Sequence, residues 1–317
     1  MASRFLKLSV LLRKYRTPLL IASCGGFFAA NLLYDAFPGA IFRPVHQAWY
    51  RGEPAKLPKE LDEVFLQVMK EYGIGSSKNF TAFASYGFCP VAAGVPRLPA
   101  GAQIGIPMNF NSTADNKSAI IKRQVLIDGK AVDWSSDSGS ALKESLVFSH
   151  DAQRFAIARE VARVQSGGPV LTAAVGPFCL AGTWAYGAAL RRVFLRRAGP
   201  ALFRGMANVA ALGLGAVSYL VASDAVGQWV DLSSDMRAAG LSLDYAKGGV
   251  EFYDKILARN KTLRSLMGRK GADVFTPSGN LFPANLIQKK HAPYTSRREE
   301  ILTLLGKQSL KNVSTSK

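Results

Sequence analysis

The stretch Phe155 to Val164 reads FAIAREVARV, and Arg159, Glu160 and Arg163 have the spacing of a zinc-peptidase helix. In an H-E-x-x-H helix, two histidines one turn apart bind zinc and the glutamate between them activates water. Both histidine positions here carry arginine, which has a permanent charge and no acceptor atom to give a cation. Only Glu160, in the position of the general base, is kept. The motif therefore predicts no metal, no cofactor and no working catalytic residue.

An ordinary amphipathic helix is the other interpretation of this stretch. Phe155, Ala158 and Ala162 lie on one face at helical spacing, and arginines are common on the solvated face of such helices. No other catalytic motif is evident, because the three histidines are scattered among predicted loops and helix ends and no GxSxG elbow is present.

The charge of the chain favours a membrane partner. The sequence has 317 residues and a formal charge of +18, a balance typical of proteins that bind nucleic acid or an anionic membrane surface. The cations cluster beside apolar runs: residues 1–17 contain five Lys or Arg and no acid, and residues 191–204 contain five arginines. No zinc finger, phosphate-binding loop or RNA-binding signature is present, so we expect no nucleic acid partner.

Three apolar stretches are candidates to cross a bilayer: residues 18–36, 169–190 and 205–223. A bilayer core of about 30 Å requires roughly 20 apolar residues in a helix. The second and third stretches lack charge and are rich in Gly and Ala, so they predict a closely packed hairpin joined by the basic loop 191–204. The first stretch is shorter and could instead be a targeting sequence, although we predict a retained span.

The positive-inside rule assigns the two basic segments, 1–17 and 191–204, to the same side of the membrane. With three spans, residues 37–168 and 224–317 then both lie on the opposite side. A two-span arrangement, with both termini on one side, is the alternative.

The sequence outside the three apolar stretches predicts a small, mainly helical α+β domain. It contains four predicted helices: Pro58–Gly73, Asp151–Val164, Val250–Met267 and a short final helix capped by Ser296. Asp128-Gly129 predicts a β-hairpin, and Gly248-Gly249 predicts a turn or a close helix contact. Neither soluble piece is large enough for a good core of its own, so we expect 37–168 and 224–317 to pack on one another.

Nearly the whole chain resembles the transmembrane protein 177 family of the mitochondrial inner membrane. The similar segments are GVPRLPAGAQIGIP, DAQRFAIAREV, CLAGTWA, YAKGGVEFYDKIL, TPSGN and HAPYTSRRE. Members of that family are associated with maturation of cytochrome c oxidase subunit II, together with the subunit's dedicated assembly chaperone. The resemblance therefore implies a multi-pass inner-membrane protein and these two partners. Together with the three-span topology from the positive-inside rule, it predicts a soluble domain in the intermembrane space.

A more distant resemblance is to the HtpX-type membrane zinc metallopeptidases. PRLPAGAQIGIP is similar to their strand motif and AREVARV to their zinc helix. A hydrophobic hairpin follows, then MRAAGLSLDYAKGGVEFY in place of their acidic helix, and HAPYTSRRE in place of a late H-P-x-x-x-x-R. The matching order implies a degenerate zincin-like fold.

The chain lacks the ligands that the zinc chemistry of those peptidases requires. Catalytic zinc needs three protein ligands and an open position for water. The third ligand would fall near Met236, which is not a carboxylate, although Asp235 is adjacent. Glu160 is instead expected to pair with Arg163 at i,i+3.

We therefore predict a non-catalytic α+β membrane protein, a pseudo-metallopeptidase at most, that acts in cytochrome c oxidase assembly. The alternative function is a membrane-bound metallopeptidase with residual or cryptic proteolytic activity. A transporter-like or lipid-contacting protein is a third possibility, and it is disfavoured because no charge lies within the two strongest spans.

Overall fold

The computed structural model describes residues 14–74, 79–112, 126–194, 201–283 and 291–315. These residues divide into two compact units. The first unit comprises the described residues of Met1–Leu33 and Val170–Val226, and the second those of Tyr34–Pro169 and Gly227–Lys317. We call them the span unit and the soluble unit.

The described elements are mainly helical. The helices are α1 Arg16–Ala36, α2 Phe42–His46, α3 Lys59–Glu71, α4 Asp137–Ser145, α5 His150–Gln165, α6 Gly168–Phe194, α7 Ala201–Ala239, α8 Leu243–Leu266, α9 Arg269–Val274 and α10 Tyr294–Thr315. The strands are β1 Trp49–Tyr50, β2 Glu53–Pro54, β3 Phe80–Ser85, β4 Val91–Gly94, β5 Ala102–Pro107, β6 Leu126–Ile127 and β7 Lys130–Ala131, and a 3-10 helix spans Met108–Asn111.

Among the residues that the structure describes, three helices are long and apolar enough to cross a membrane, which agrees with the predicted α+β membrane protein. The candidate spans are Arg16–Ala36, Gly168–Leu190 and Gly205–Ala239. The third helix continues well beyond residue 223, where the apolar stretch ends in the sequence, because the acidic residues that follow do not interrupt the backbone hydrogen bonding of α7. Helix α7 therefore contributes residues to both units.

Small residues bring α6 and α7 close together in the span unit. A Cβ atom added at Gly215 would lie 2.1 Å from Oγ1 of Thr183, so only glycine permits this approach. Gly213, on the same helix, has open space at the corresponding position. Phe27 of α1 lies 6.1 Å from Tyr219 of α7, between ring centroids, which adds the first helix to the same packing.

A three-stranded sheet in the order β3-β5-β4 lies in the soluble unit. The central strand β5 runs parallel to β3, with Phe83 opposite Gly105. It runs antiparallel to β4, with Ala92 opposite Ile104. The largest buried cluster combines this sheet with α3, α5, α8 and α10. Its members come from both soluble pieces and include Val68, Ile104, Phe155, Phe252 and Ile301.

Helix α8 packs directly on the first turns of α5. A Cβ atom at Gly248 would lie 2.3 Å from the carbonyl oxygen of Asp151, and Gly249 faces the ring of Phe155 at similarly short range. The glycine pair thus serves close helix packing. It lies inside the helix, which begins at Leu243 rather than at the predicted Val250.

The other local predictions hold with one correction. Helix α3 and the hairpin at Asp128-Gly129 form as predicted, with positive φ at both turn residues. The final helix is longer than predicted and begins at Tyr294, so Ser296 lies inside it and does not cap it. The side chain of Asn280 instead accepts a hydrogen bond from the backbone N–H of Thr295, at 3.1 Å.

Glu71 connects three helices at a polar contact separate from the sheet. Both carboxylate oxygens accept from Arg154 of α5 at 2.7 Å, and the Tyr245 hydroxyl of α8 donates to one of them. Burial raises the pKa of Glu71, but these hydrogen bonds outweigh it, so the pKa lies below its ordinary value.

Candidate functional site

Helix α5 presents the R-E-x-x-R motif inside the soluble unit. The helix is capped by Ser149, whose hydroxyl accepts from the N–H of Ala152, and it is buried on nearly all sides. The side chains of Arg159 and Glu160 are 11 % and 5 % exposed. The amphipathic interpretation is therefore wrong about this face, because Arg159 and Glu160 point into protein and not into solvent.

Both oxygens of Glu160 accept from arginines. Oε1 accepts from Arg159 at 2.7 Å, and Oε2 accepts from Nε of Arg163 at 3.1 Å, which is the i,i+3 pair that the sequence predicts. Arg163 also donates to the carbonyl of Ala92 on strand β4. The carboxylate that would activate water in a zinc peptidase is thus held between two guanidinium groups.

Asp235 of α7 is the most buried acid beside this motif, with 1 % of its side chain exposed. It accepts from Arg159 at 3.0 Å and from two nitrogens of Arg297 at 2.6 and 2.9 Å. The hydroxyl of Tyr253 also donates to Asp235, at 2.9 Å. The residue beside the expected third ligand position therefore lies at the motif, bound to arginines.

Asp231 lies one turn earlier on α7 and completes the set of acids. It is within 3.9 Å of Arg159 and 3.5 Å of Arg297, and it contacts Nδ1 of His291 at 3.0 Å. We define the ion-pair cluster as Arg159, Glu160, Arg163, Asp231, Asp235 and Arg297. Sequence reasoning missed Asp231, Tyr253 and Arg297. The available signals were two acids at i,i+4 late in an apolar helix and the HAPYTSRRE segment.

The cluster contains three guanidinium groups and three carboxylates, so its formal charge is balanced. Burial lowers the pKa of Arg159, but Tyr253, Glu160 and Asp235 outweigh it, and the pKa is raised well above its ordinary value. Burial raises the pKa of Tyr253, so this residue stays a neutral hydrogen-bond donor. The charges stabilise one another in place of the water that surrounds exposed ions.

A cavity of about 450 Å³ lies beside the cluster. Its lining includes Cys89, Glu160, Arg163, Asp231, His291 and Tyr294. The donor set does not fit zinc, because arginine offers only N–H donors where the two imidazoles would bind. In the part of the chain that the structure describes, no group of three or more His, Cys, Asp or Glu side chains could hold a metal ion.

Comparisons with known proteins identify the family of this chain. A family model described as Transmembrane protein 177 matches residues 90–287, more than half of the chain. The chain belongs to the transmembrane protein 177 family. A transmembrane protein 177 from Danio rerio is 59 % identical over 98 % of this chain and all of its own length. Those of Xenopus laevis and Homo sapiens are 45 % and 40 % identical, over 92 % and 96 % of this chain and 94 % and 97 % of their own lengths.

The segments that resemble the transmembrane protein 177 family contribute directly to the site. DAQRFAIAREV lies in α5, YAKGGVEFYDKIL in α8 and HAPYTSRRE at the start of α10, and each supplies a residue that contacts Asp235. No solved structure gives a significant match to the chain. The zincin-like fold therefore stays a prediction.

Proposed function

We propose that this member of the transmembrane protein 177 family is a non-catalytic accessory factor of the mitochondrial inner membrane. It stabilises newly synthesised cytochrome c oxidase subunit II and the chaperone dedicated to that subunit. The family resemblance supports this role, and the three candidate spans supply a setting in which a newly inserted membrane subunit can be met.

The observation that carries the non-catalytic part is the ion-pair cluster. Glu160 accepts from two guanidinium groups, and both places for zinc ligands in the motif carry arginine. A general base must reach a water or substrate proton in a site that also activates the reacting group. We propose that the protein is a pseudo-metallopeptidase in which arginine–carboxylate pairs have replaced the metal.

The same cluster supports a scaffolding role. It joins α5, α10 and the end of α7, and α7 is also a candidate span. A partner that shifts α7 would therefore act on buried charge pairs, whose energy depends steeply on geometry. We propose that the soluble unit lies on the intermembrane-space side, as the positive-inside rule indicates.

The test is affinity purification of the tagged full-length protein from mitochondria after a short radiolabel of organellar translation. Selective recovery of subunit II is expected. An Asp235→Asn variant, which opens the cluster, should recover less subunit II than Asp254→Asn, which changes a surface pair. Each recovery is normalised to the amount of tagged protein, so that a loss of folding is not mistaken for a loss of binding.

Three outcomes would contradict different parts of the proposal. If no translation product is enriched, the assembly role fails. If the purified protein contains stoichiometric zinc, and cleavage of a substrate is lost in Glu160→Gln, the non-catalytic assignment fails. Protection of the C-terminus from protease, in mitochondria with a ruptured outer membrane and an intact inner membrane, would refute the three-span topology.

A further inference from the structure

Five large apolar side chains are exposed close to the end of the first candidate span. They are Phe37, Val45, Trp49, Tyr50 and Tyr86, each 56 to 65 % exposed, and we call them the aromatic patch. Among the described residues of the soluble unit outside the candidate spans, the other exposed aromatic residue is Phe282. Exposed apolar surface concentrated in this way marks a contact with another molecule or with a membrane.

Contacts within the soluble unit tie this patch to the last turn of α1. The hydroxyl of Tyr34 lies 3.1 Å from Nε2 of His46, and the ring of His46 stacks on Tyr86 at 6.2 Å between centroids. The backbone N–H of Tyr86 donates to the carbonyl of His46. Because Tyr34 belongs to a candidate span, the patch lies within a few side chains of the point where that helix ends.

The β1–β2 hairpin holds two of the aromatic residues in the open. Its two-residue turn has positive φ at Arg51 and Gly52, which is the backbone of a tight hairpin turn. Each strand has only two residues, so the hairpin has little stability of its own. It nevertheless presents Trp49 and Tyr50 to the surroundings, and the guanidinium of Arg51 lies 5.2 Å from the ring centroid of Tyr50.

The segment around the hairpin is basic. Between Phe37 and Lys56 there are three cations, Arg43, Arg51 and Lys56, and a single acid, Glu53. Tryptophan and tyrosine are enriched at the headgroup level of membranes, because one part of each ring system is apolar and the other is polar. Lys and Arg near the surface are attracted to anionic lipid headgroups.

We infer that the aromatic patch is a membrane-surface anchor that lies among anionic lipid headgroups. The partner is the bilayer that contains the first span, because Tyr86 of the patch stacks on His46, and His46 contacts the hydroxyl of Tyr34 in the last turn of that helix. This inference goes beyond the proposed function and does not depend on it. An anchor at this point would fix the soluble unit close to the bilayer by contacts additional to its connection to α1.

Fluorescence quenching by brominated lipid tests the inference in the full-length protein. The chain has four tryptophans, and replacing Trp134, Trp184 and Trp229 by Phe leaves Trp49 as the single reporter. In vesicles of phosphatidylcholine and phosphatidylglycerol, we expect bromine near the headgroup end of the acyl chains to quench Trp49 more than bromine deep in the core. A variant that keeps only Trp134, which packs beside Leu142 and Leu146, is the unquenched control.

A second variant tests the charge. Arg51→Glu combined with Lys56→Glu should reduce the quenching of Trp49 in anionic vesicles, while Lys70→Glu combined with Lys307→Glu, at exposed sites elsewhere, should not. If the triple tryptophan replacement does not fold, the native chain and its Trp49→Phe variant give the same signal by difference.

Quenching of Trp49 no greater than that of Trp134 would overturn the inference. A blue-shifted Trp49 emission without quenching would also overturn it, because the patch would then be covered by protein and not by lipid. Unchanged quenching after charge reversal would overturn the role of anionic headgroups.

Discussion

Asp235→Asn is the substitution that tests the ion-pair cluster most directly. The carboxylate of Asp235 is 1 % exposed and accepts from Arg159, Arg297 and Tyr253. Asparagine preserves the shape but removes the charge, which leaves two buried guanidinium groups facing an uncharged amide. Arg159 keeps Glu160 and Asp231, and Arg297 keeps Asp231, so the variant leaves one net positive charge in the cluster. Removing one partner of a buried pair costs about 3–5 kcal/mol, because the excess charge stays out of water.

The expected effect is large enough to measure by thermal unfolding of the purified full-length protein in one detergent. For a domain of 150–250 residues, about 2–4 °C of Tm correspond to each kcal/mol, so the predicted loss is roughly 6–20 °C. The matched control is Asp254→Asn, since Asp254 pairs with Arg298 at the surface and is half exposed. Such a pair contributes about 0–1 kcal/mol.

Equal losses of Tm in the two variants would refute the reasoning. That result would mean that desolvation of the cluster offsets its attraction completely, or that water reaches Asp235 in solution. A loss of Tm confined to Asp235→Asn would support a buried network. If salt does not screen that network, the difference in Tm between Asp235→Asn and the native protein should be the same at low and at high salt.

Three further substitutions have defined outcomes. In Glu71→Gln, the loss of Tm should become smaller as the pH is lowered. The pKa of Glu71 is lowered in the folded protein, so its carboxylate contributes to stability above the unfolded pKa of about 4.3. This contribution is lost as the pH falls through the folded pKa. A loss of Tm that does not change with pH would contradict this. Gly248→Ala should destabilise the protein by about 1–3 kcal/mol, because the added Cβ meets the backbone of Asp151. Gly306→Ala should stabilise it by about 0.5–1 kcal/mol, because Gly306 lies on a helix with open space around it. Both changes are measured as shifts in the urea midpoint of unfolding. Gly215→Ala should lower the resistance of the span unit to detergent, because the added Cβ meets Thr183. Gly213→Ala, in open space on the same helix, should not lower it. Equal detergent resistance of the two variants would show that close packing at residue 215 is unimportant.

Local patterns predicted much of the fold because their causes are local. The spans follow from long apolar composition, α3 from its apolar spacing, and the hairpin at Asp128-Gly129 from turn residues that accept positive φ. The errors are of two kinds. The start of α8 has a local signal that the prediction missed, because Ser242 caps the helix and its hydroxyl accepts from the N–H of Tyr245. The contact of Gly248 with the backbone of Asp151 joins distant segments, and no local pattern reports it.

The site was predictable only in part for the same reason. The spacing of Arg159, Glu160 and Arg163 shows that the three side chains share one helix and that two of them cannot bind zinc. It does not show which groups neutralise the arginines. Asp231 and Asp235 come from the end of a candidate span, and Arg297 comes from the last helix, so only the tertiary fold brings them together.

The composition of the cluster decides how this protein differs from a zinc enzyme. A zinc ion ligated by side chains from several helices would tie those helices together and also leave a position for a reacting water. Arg159 and Arg297 make comparable connections through Asp235, but a guanidinium carries only donors and opens no coordination site. Helix-to-helix connection is therefore separable from catalysis in this arrangement.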